Sequence, residues 1–266
     1  MQLNYDETVR VSGINVPSTA GTMEARAVSL PGLTARVAFR GLLDETGEDE
    51  CLLRGGDYSI RLVDSPRQRS KADLLVKRMY SWRGYNTDGS AVIPHNPNHL
   101  TLEASSKQEL FGTLTLGIDS ENGLAADELY EEELNAFRKK GLKICEVSKL
   151  AIDPQFSSKE LFASLFQLTY IYAYTIHKVK DAFIEVNPRH ATFYKRMLGF
   201  RQVGEKRTCP RVDAPAVLLH LDLDYMDAQI SSLAGSRALK DKSLYPYFFS
   251  RHKEKGVAQR FQRYLN

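Results

Sequence analysis

Within the stretch from Lys143 to Ile152, Glu146 and Ser148 stand two residues apart, and in a strand that spacing puts both side chains on one face. A carboxylate in that setting either handles a proton or pairs with a neighbouring basic side chain inside the sheet. Lys149 points to the other face. Directly after the run comes Asp153-Pro154-Gln155-Phe156-Ser157-Ser158-Lys159-Glu160-Leu161-Phe162, where a strand hands over through a polar turn to an amphipathic helix. A helix start in that place offers free N–H groups to a phosphate, yet no glycine lies between Asp153 and Phe162 to let the chain wrap a diphosphate. Two hydroxyls, Ser157 and Ser158, and the Lys159 ammonium remain beside the helix, enough for a single phosphate.

Other residues carry chemistry in looser patterns. Tyr194 follows Asn187 by seven residues, and Arg78 stands on a predicted helix, where a guanidinium fork suits a carboxylate or is simply solvated. His95 and His99 lie in the polar loop Pro94-His95-Asn96-Pro97-Asn98-His99. The sequence has no metal-type cluster, no Ser-His-Asp order and no P-loop. Cys51, Cys145 and Cys209 are an odd set without metal spacing, which fits a reducing compartment and makes the cytoplasm the expected location.

The elements that must position these residues are read from periodicity. Strands are expected at 58–63, 99–103, 109–118, 143–152, 181–186, 200–203 and 217–223; helices are expected at 66–82, 126–140, 158–177 and 187–198. The order β-α-β-β-(α)-β-α-β-α-β-β predicts an α/β fold with a mixed central sheet and helices on both faces. Residues 1–56, with scattered Gly, Pro, Ser and Thr and the acidic run Asp44 to Glu50, read as a loosely ordered extension. Residues 57–225 form the main domain, and 226–266 a helical C-terminal extension with a basic, aromatic segment.

The chain has 266 residues, 42% of them hydrophobic, which suffices for a large core. A formal charge of +3 gives no argument for nucleic acid. No stretch reaches the roughly 20 apolar residues of a membrane-spanning helix, and the N-terminus shows no basic and apolar leader, so a soluble protein is expected.

Four segments, Gly112 to Leu116, Gly123 to Tyr130, Cys145 to Asp153, and Ile184 to His190 running on through Phe193-Tyr194 to Gly199-Phe200, resemble the GNAT acyltransferase fold in order and spacing. More closely, the chain from 58 to about 225 resembles the FeeM-type N-acyl amino acid synthases, relatives of the acyl-homoserine lactone autoinducer synthases. The resemblance implies transfer of a fatty acyl group from the phosphopantetheine thioester of acyl carrier protein to an amino acid's α-amine. It also implies a strand splay between 143–152 and 181–186 that holds the pantetheine arm, with no bound cofactor; the lack of a Ser-His-Asp order, metal cluster and P-loop in the sequence predicts direct transfer without a covalent enzyme intermediate.

By the same resemblance Glu146 and Tyr194 are the catalytic candidates, and Arg78, Ser148 and His95 contact the acceptor. Ile152, Ser157, Ser158 and Lys159 hold the phosphopantetheine. Between Tyr194 and Gly199-Phe200 the chain has one residue more than the acetyltransferase pattern, which leaves the tyrosine as proton donor or as core. Thr115 replaces an autoinducer-synthase arginine, against a homoserine-lactone product. An acidic carrier helix would meet Lys159, Lys178, Lys180, Arg189, Lys195 and Arg196. An acetyl-CoA-dependent N-acetyltransferase and a non-catalytic acyl- or carrier-binding module are the alternatives, and the glycine-free turn favours the carrier protein over CoA.

Overall fold

The structure is a computed structural model that describes residues 51–87, 98–106, 109–236 and 241–265. The expected N-terminal extension up to residue 50 and the loop holding His95 lie outside the described residues. The chain runs β1 (Leu53–Arg54), β2 (Ser59–Leu62), α1 (Pro66–Trp82), β3 (His99–Ser106), β4 (Glu109–Ile118), α2 (Asp127–Arg138) and β5 (Ile144–Ile152). It continues through α3 (Lys159–Tyr170), β6 (Asp181–Val186), α4 (Pro188–Leu198), β7 (Arg201–Gln202), β8 (Arg207–Cys209), β9 (Ala214–Asp222), α5 (Leu223–Leu233) and α6 (Arg251–Leu265).

The strands form one sheet in the order β1-β2-β3-β4-β5-β6-β9-β7, with β8 also on β9. Among the described residues the β5–β6 pair is parallel and the other pairs are antiparallel. Side-chain alternation then divides the layers. Ile144, Phe183 and Leu218 meet Tyr130 and Leu134 of α2, and Ala151 meets Leu75, Val76 and Met79 of α1. Cys145, Ala182, Leu219 and Leu221 face the opposite way, into the core made with α3, α4, α5 and α6. The mixed α/β sheet covered on both faces is therefore what these residues build.

Local signals set the helix ends. Ser65 and Gln68 form a capping box with Pro66 in the first turn of α1, an arrangement worth about 1 kcal/mol. Asn187 caps α4, and Gly199 ends it in the left-handed region at φ 85°. The expected long helix 158–177 is α3 followed by a π-helical segment, Ile171–Ile176, so its last turns are wider than an α-helix.

The apolar run on α3 has no polar face because the helix is covered twice, by the sheet and by the C-terminal segment. Gln167, fully buried, donates to Phe249 O at 2.8 Å and accepts from Phe249 N at 2.7 Å. Phe261 of α6 lies 5.4 Å from Tyr172. Helix α5 begins at Leu223, before the expected start of the C-terminal extension at 226, because Asp222 accepts hydrogen bonds from the N–H groups of Asp224 and Tyr225. Strand β8 is not among the expected strands, and α6 falls within the extension 226–266 expected to be helical.

Candidate active site

Strands β5 and β6 pair only at Ile144–Asp181, Cys145–Ala182 and Glu146–Phe183. Beyond that point β5 stays with β4 as far as Ile152 and β6 stays with β9 as far as Val186, so the sheet opens between them. Glu146 is the last β5 residue before the opening. The site grows around this carboxylate.

A bulge shapes the same strand. Thr115 pairs with Ser148 and Thr113 with Ala151, so Lys149 and Leu150 together oppose Leu114, and Lys149 takes a positive φ of 50°. The extra residue resets the alternation. Ile144, Glu146, Ser148 and then Ala151 all face α1 and α2, whereas strict alternation would have turned Ala151 away.

Glu146 is 4% exposed, and its Oε2 accepts the Ala126 N–H at 3.0 Å. Burial pushes its carboxyl up to about 7, with a smaller push from Glu185, while the backbone donor and Arg211 act in the opposite direction. Such a group exchanges protons near neutral pH. Arg211 connects the surroundings: it pairs with Glu185 at 2.7 Å and with Glu128, and donates to Ala125 O at 2.8 Å. The guanidinium thus ties β6 and the turn after β8 to the loop whose Ala126 N–H holds Glu146. Arg138 anchors the same loop through Asp119 and Asp127, at 2.8 and 2.6 Å.

Along the same face the sheet is polar. Thr101 and Thr115 hydroxyls meet at 2.9 Å, and Thr115 stands opposite Ser148. Tyr80, from α1, is half-buried, its hydroxyl pushed up to about 12, chiefly by desolvation, and it senses Arg83, Cys209 and Glu185. Asn86 N donates to Val212 O at 3.0 Å and so docks the segment after α1 beside Arg211.

The other expected residues are distributed around the opening. Tyr194 lies on the opposite face from Glu146, its ring within 6.3 Å of Phe162, Phe166, Phe193 and Phe200. Arg78 pairs with Asp153 at 2.9 Å, at the end of β5. Ile152 closes that strand opposite Gly112, and Ser157 follows a 3-10 turn. The Ser158 hydroxyl caps α3 by accepting from Leu161 N at 3.1 Å, and the Lys159 ammonium lies 5.2 Å from the Tyr247 ring centre. His99 stands beside Gly117, its imidazole held below the usual range by burial and by Lys149. The expected basic cluster divides. Lys159, Lys195 and Arg196 flank the start of α3 and the helix α4 that packs on it through Phe162 and Phe193, while Lys178 and Lys180 follow the far end, roughly 27 Å away.

Sequence reasoning missed Glu185, Arg211 and Tyr80. Only Glu185 carried a usable signal, since it lies one residue before the strand end in Ile184-Glu185-Val186-Asn187-Pro188. Arg211 joins the site from a turn with no motif of its own. Beneath α3, Cys145, Val147, Phe166, Ala182 and Phe200 line a narrow apolar cavity of about 20 Å³. Among the described residues there is no cluster with metal-ligand character, and no helix is long and apolar enough to cross a membrane.

Residues 71–222 match the protein family described as N-acyl amino acid synthase FeeM. The solved structure of FeeM, an N-acyl amino acid synthase from uncultured soil microbes, superimposes with a TM-score of 0.60 at 31% identity, over 64% of this chain and 94% of that one. An N-acetyltransferase from Staphylococcus aureus Mu50 aligns with a TM-score of 0.46 at 13% identity, over 64% and 99%. The AHL synthase LasI aligns with a TM-score of 0.45 at 11% identity, over 64% and 91%. A comparison with curated proteins gives no match.

Proposed function

Because the chain belongs to the N-acyl amino acid synthase FeeM family, an acyltransferase family, we propose that it moves a fatty acyl group from acyl carrier protein to the α-amine of an amino acid. The observation that carries this reading is a buried carboxylate, titrating near 7, at the point where β5 and β6 part. Glu146 takes a proton from the acceptor ammonium, directly or through a water, and the freed amine attacks the thioester carbonyl. The C–N bond forms, the tetrahedral intermediate collapses with loss of the C–S bond, and an amide and a thiol result. Of the two protons the ammonium gives up, one leaves through Glu146 and the other ends on the sulfur.

The opened strands supply the remaining requirements. Backbone groups of β5 beyond Glu146 hold the phosphopantetheine arm as an added strand, and one N–H polarises the carbonyl. Ser157, Ser158 and Lys159 at the start of α3 receive its single phosphate, and the absence of glycines there disfavours the diphosphate of CoA. Tyr194 is the assigned donor of the proton to sulfur, and Ser148 lies on the acceptor's face. The acyl chain follows the apolar seam beneath α3, which must widen to admit it.

Lys159, Lys195 and Arg196 provide the positive rim for an acidic carrier protein. The free thiols of Cys51, Cys145 and Cys209 fit a cytoplasmic setting. Incubating the purified protein with acyl carrier protein thioesters, acyl-CoA of several lengths and the twenty amino acids, with products read by mass spectrometry, tests the proposal. N-acyl amino acid formed from the carrier thioester supports it. Product from acetyl-CoA alone, or carrier binding without turnover, refutes it.

A further inference from the structure

Arg78, Arg138, Arg207, Arg211 and Arg251 each close an ion pair with a carboxylate. Arg83 and Arg189 do not: among the described residues no acid pairs with either. Both are nevertheless held in place. Arg83 donates to Met79 O at 3.1 Å, and its guanidinium lies 5.5 Å from the Trp82 ring centre. Arg189, at the start of α4, donates to the Arg83 carbonyl at 3.3 Å and lies 5.1 Å from the Tyr85 ring centre. Gly84, at φ 78°, turns the chain so that Tyr85 meets Tyr80 edge-on at 5.8 Å and receives Arg189.

The two positive charges act on a common neighbour. His190, whose Nε2 is 3.2 Å from Arg189 Nε, is held down at about 4 by burial first and then by Arg189 and Arg83, so it stays neutral. Arg189 touches the neutral imidazole and Arg83 acts on it electrostatically, so two positive charges share a surrounding that a bound anion neutralises, and an arginine fork offers a carboxylate two parallel charge-assisted bonds.

The position selects the anion. Tyr80 senses Arg83 together with Glu185 and Cys209, so a basic rim and an acidic floor lie around one half-buried ring. Glu185 in turn acts on Glu146. A molecule with an amine at one end and a carboxylate at the other matches this polarity. The donor's phosphate has a separate place in the proposed function, at Ser157 to Lys159 on the start of α3. We propose that Arg83 and Arg189 bind the carboxylate of the acceptor amino acid and thereby turn its amine toward Glu185 and Glu146.

This assignment rests on the acyltransferase reading above and names its acceptor determinant. It implies that amines lacking a carboxylate are poor acceptors because the rim has nothing to hold.

The test measures initial rates with an acyl carrier protein thioester and either an amino acid or its primary amide. The proteins are wild type, Arg83→Gln, Arg189→Gln, the double variant, the two Lys replacements, and Arg263→Gln as a surface-charge control, each checked for an unchanged melting temperature. The expected result is a KM for the amino acid raised about tenfold in each Gln single variant and about 100-fold in the double, in line with lost charged hydrogen bonds. Partial rescue by Lys is expected, with kcat and the donor's KM within about twofold. For the amide, kcat/KM stays as in wild type, so the discrimination between acid and amide collapses. A wild-type protein that acylates no amino acid overturns both readings. Acylation with an unchanged amino acid KM in the double variant, or a rise confined to the donor's KM, overturns this one alone.

Discussion

The Ala126 main-chain N–H and the Glu146 carboxylate oxygen lie 3.0 Å apart, although twenty residues separate them in the chain. The base is thus held by the loop before α2, and Arg211 and Arg138 fix that loop from either side. Proton handling and loop position are coupled.

Glu146→Gln removes the exchangeable proton and keeps the shape. The expected loss in kcat is about 10²-fold or more. In wild type the carboxylate is required unprotonated, so activity rises with pH through about 7. The variant's residual rate lacks that limb; a rate within about twofold of wild type across pH 5.5–8.5 would remove Glu146 from the mechanism.

The same residue affects folding with a defined sign. Its folded-state pKa, about 7, is raised above the reference 4.5, so the protonated form is the one folding favours. The stability this gives is complete below about pH 4.5 and is lost as pH rises through 7. Relative to wild type, Glu146→Gln therefore gains thermal stability between pH 5 and pH 8, by up to about 3 kcal/mol at ~1.4 kcal/mol per unit. Paired melting curves at several pH values show the divergence, or its absence.

Tyr194→Phe keeps the ring among Phe162, Phe166, Phe193 and Phe200 and removes only the hydroxyl. If the hydroxyl protonates the leaving sulfur, kcat falls about 10²-fold with little change in melting temperature. A kcat near wild type would make the residue a packing tyrosine. Single-turnover measurements separate the two.

Gly204→Ala tests packing alone. An added Cβ would stand 2.7 Å from Leu218 Cβ and from the ring of Tyr130, both fully buried. Neither side chain has space to retreat, so the expected cost is about 1–3 kcal/mol, read as a lower denaturant midpoint.

Gln167→Leu leaves the N–H and C=O of Phe249 without their side-chain partners. A fully buried orphan costs about 1–3 kcal/mol, and these half-buried groups are expected toward the lower figure. Amide hydrogen exchange is expected to rise from about residue 245 onward before the sheet is affected.

The sequence made the central elements legible where burial is continuous. Lys143 to Ile152 reads as a strand because six of its ten residues are apolar, Ile144, Val147 and Ile152 among them, and Pro66 to Trp82 as a helix because Pro66 sits near its first turn and Leu74, Leu75, Val76 and Met79 share an apolar stretch. The bounds of helix α6 were hidden: its buried residues, Glu254, Val257 and Phe261, are few, and the rest of Arg251–Leu265 is mostly polar. Glu146 was visible from its strand, whereas Arg211 was not. Its partners Ala125, Glu128 and Glu185 are brought to it by the fold, and no local spacing records that meeting. The bulge at Lys149 was equally silent, since no glycine or proline announces it.

That bulge acts as a phase shift in the middle of a strand. Up to Ser148 the alternation serves the carboxylate and its neighbours; from Ala151 it serves packing against α1 and the approach to the turn. Exchanging one side chain for another at Leu150 leaves both phases intact. Deleting a single residue there would invert one of them, turning Ala151 away from α1 or Glu146 into the apolar seam under α3. At this point the chain is far more sensitive to its length than to its composition.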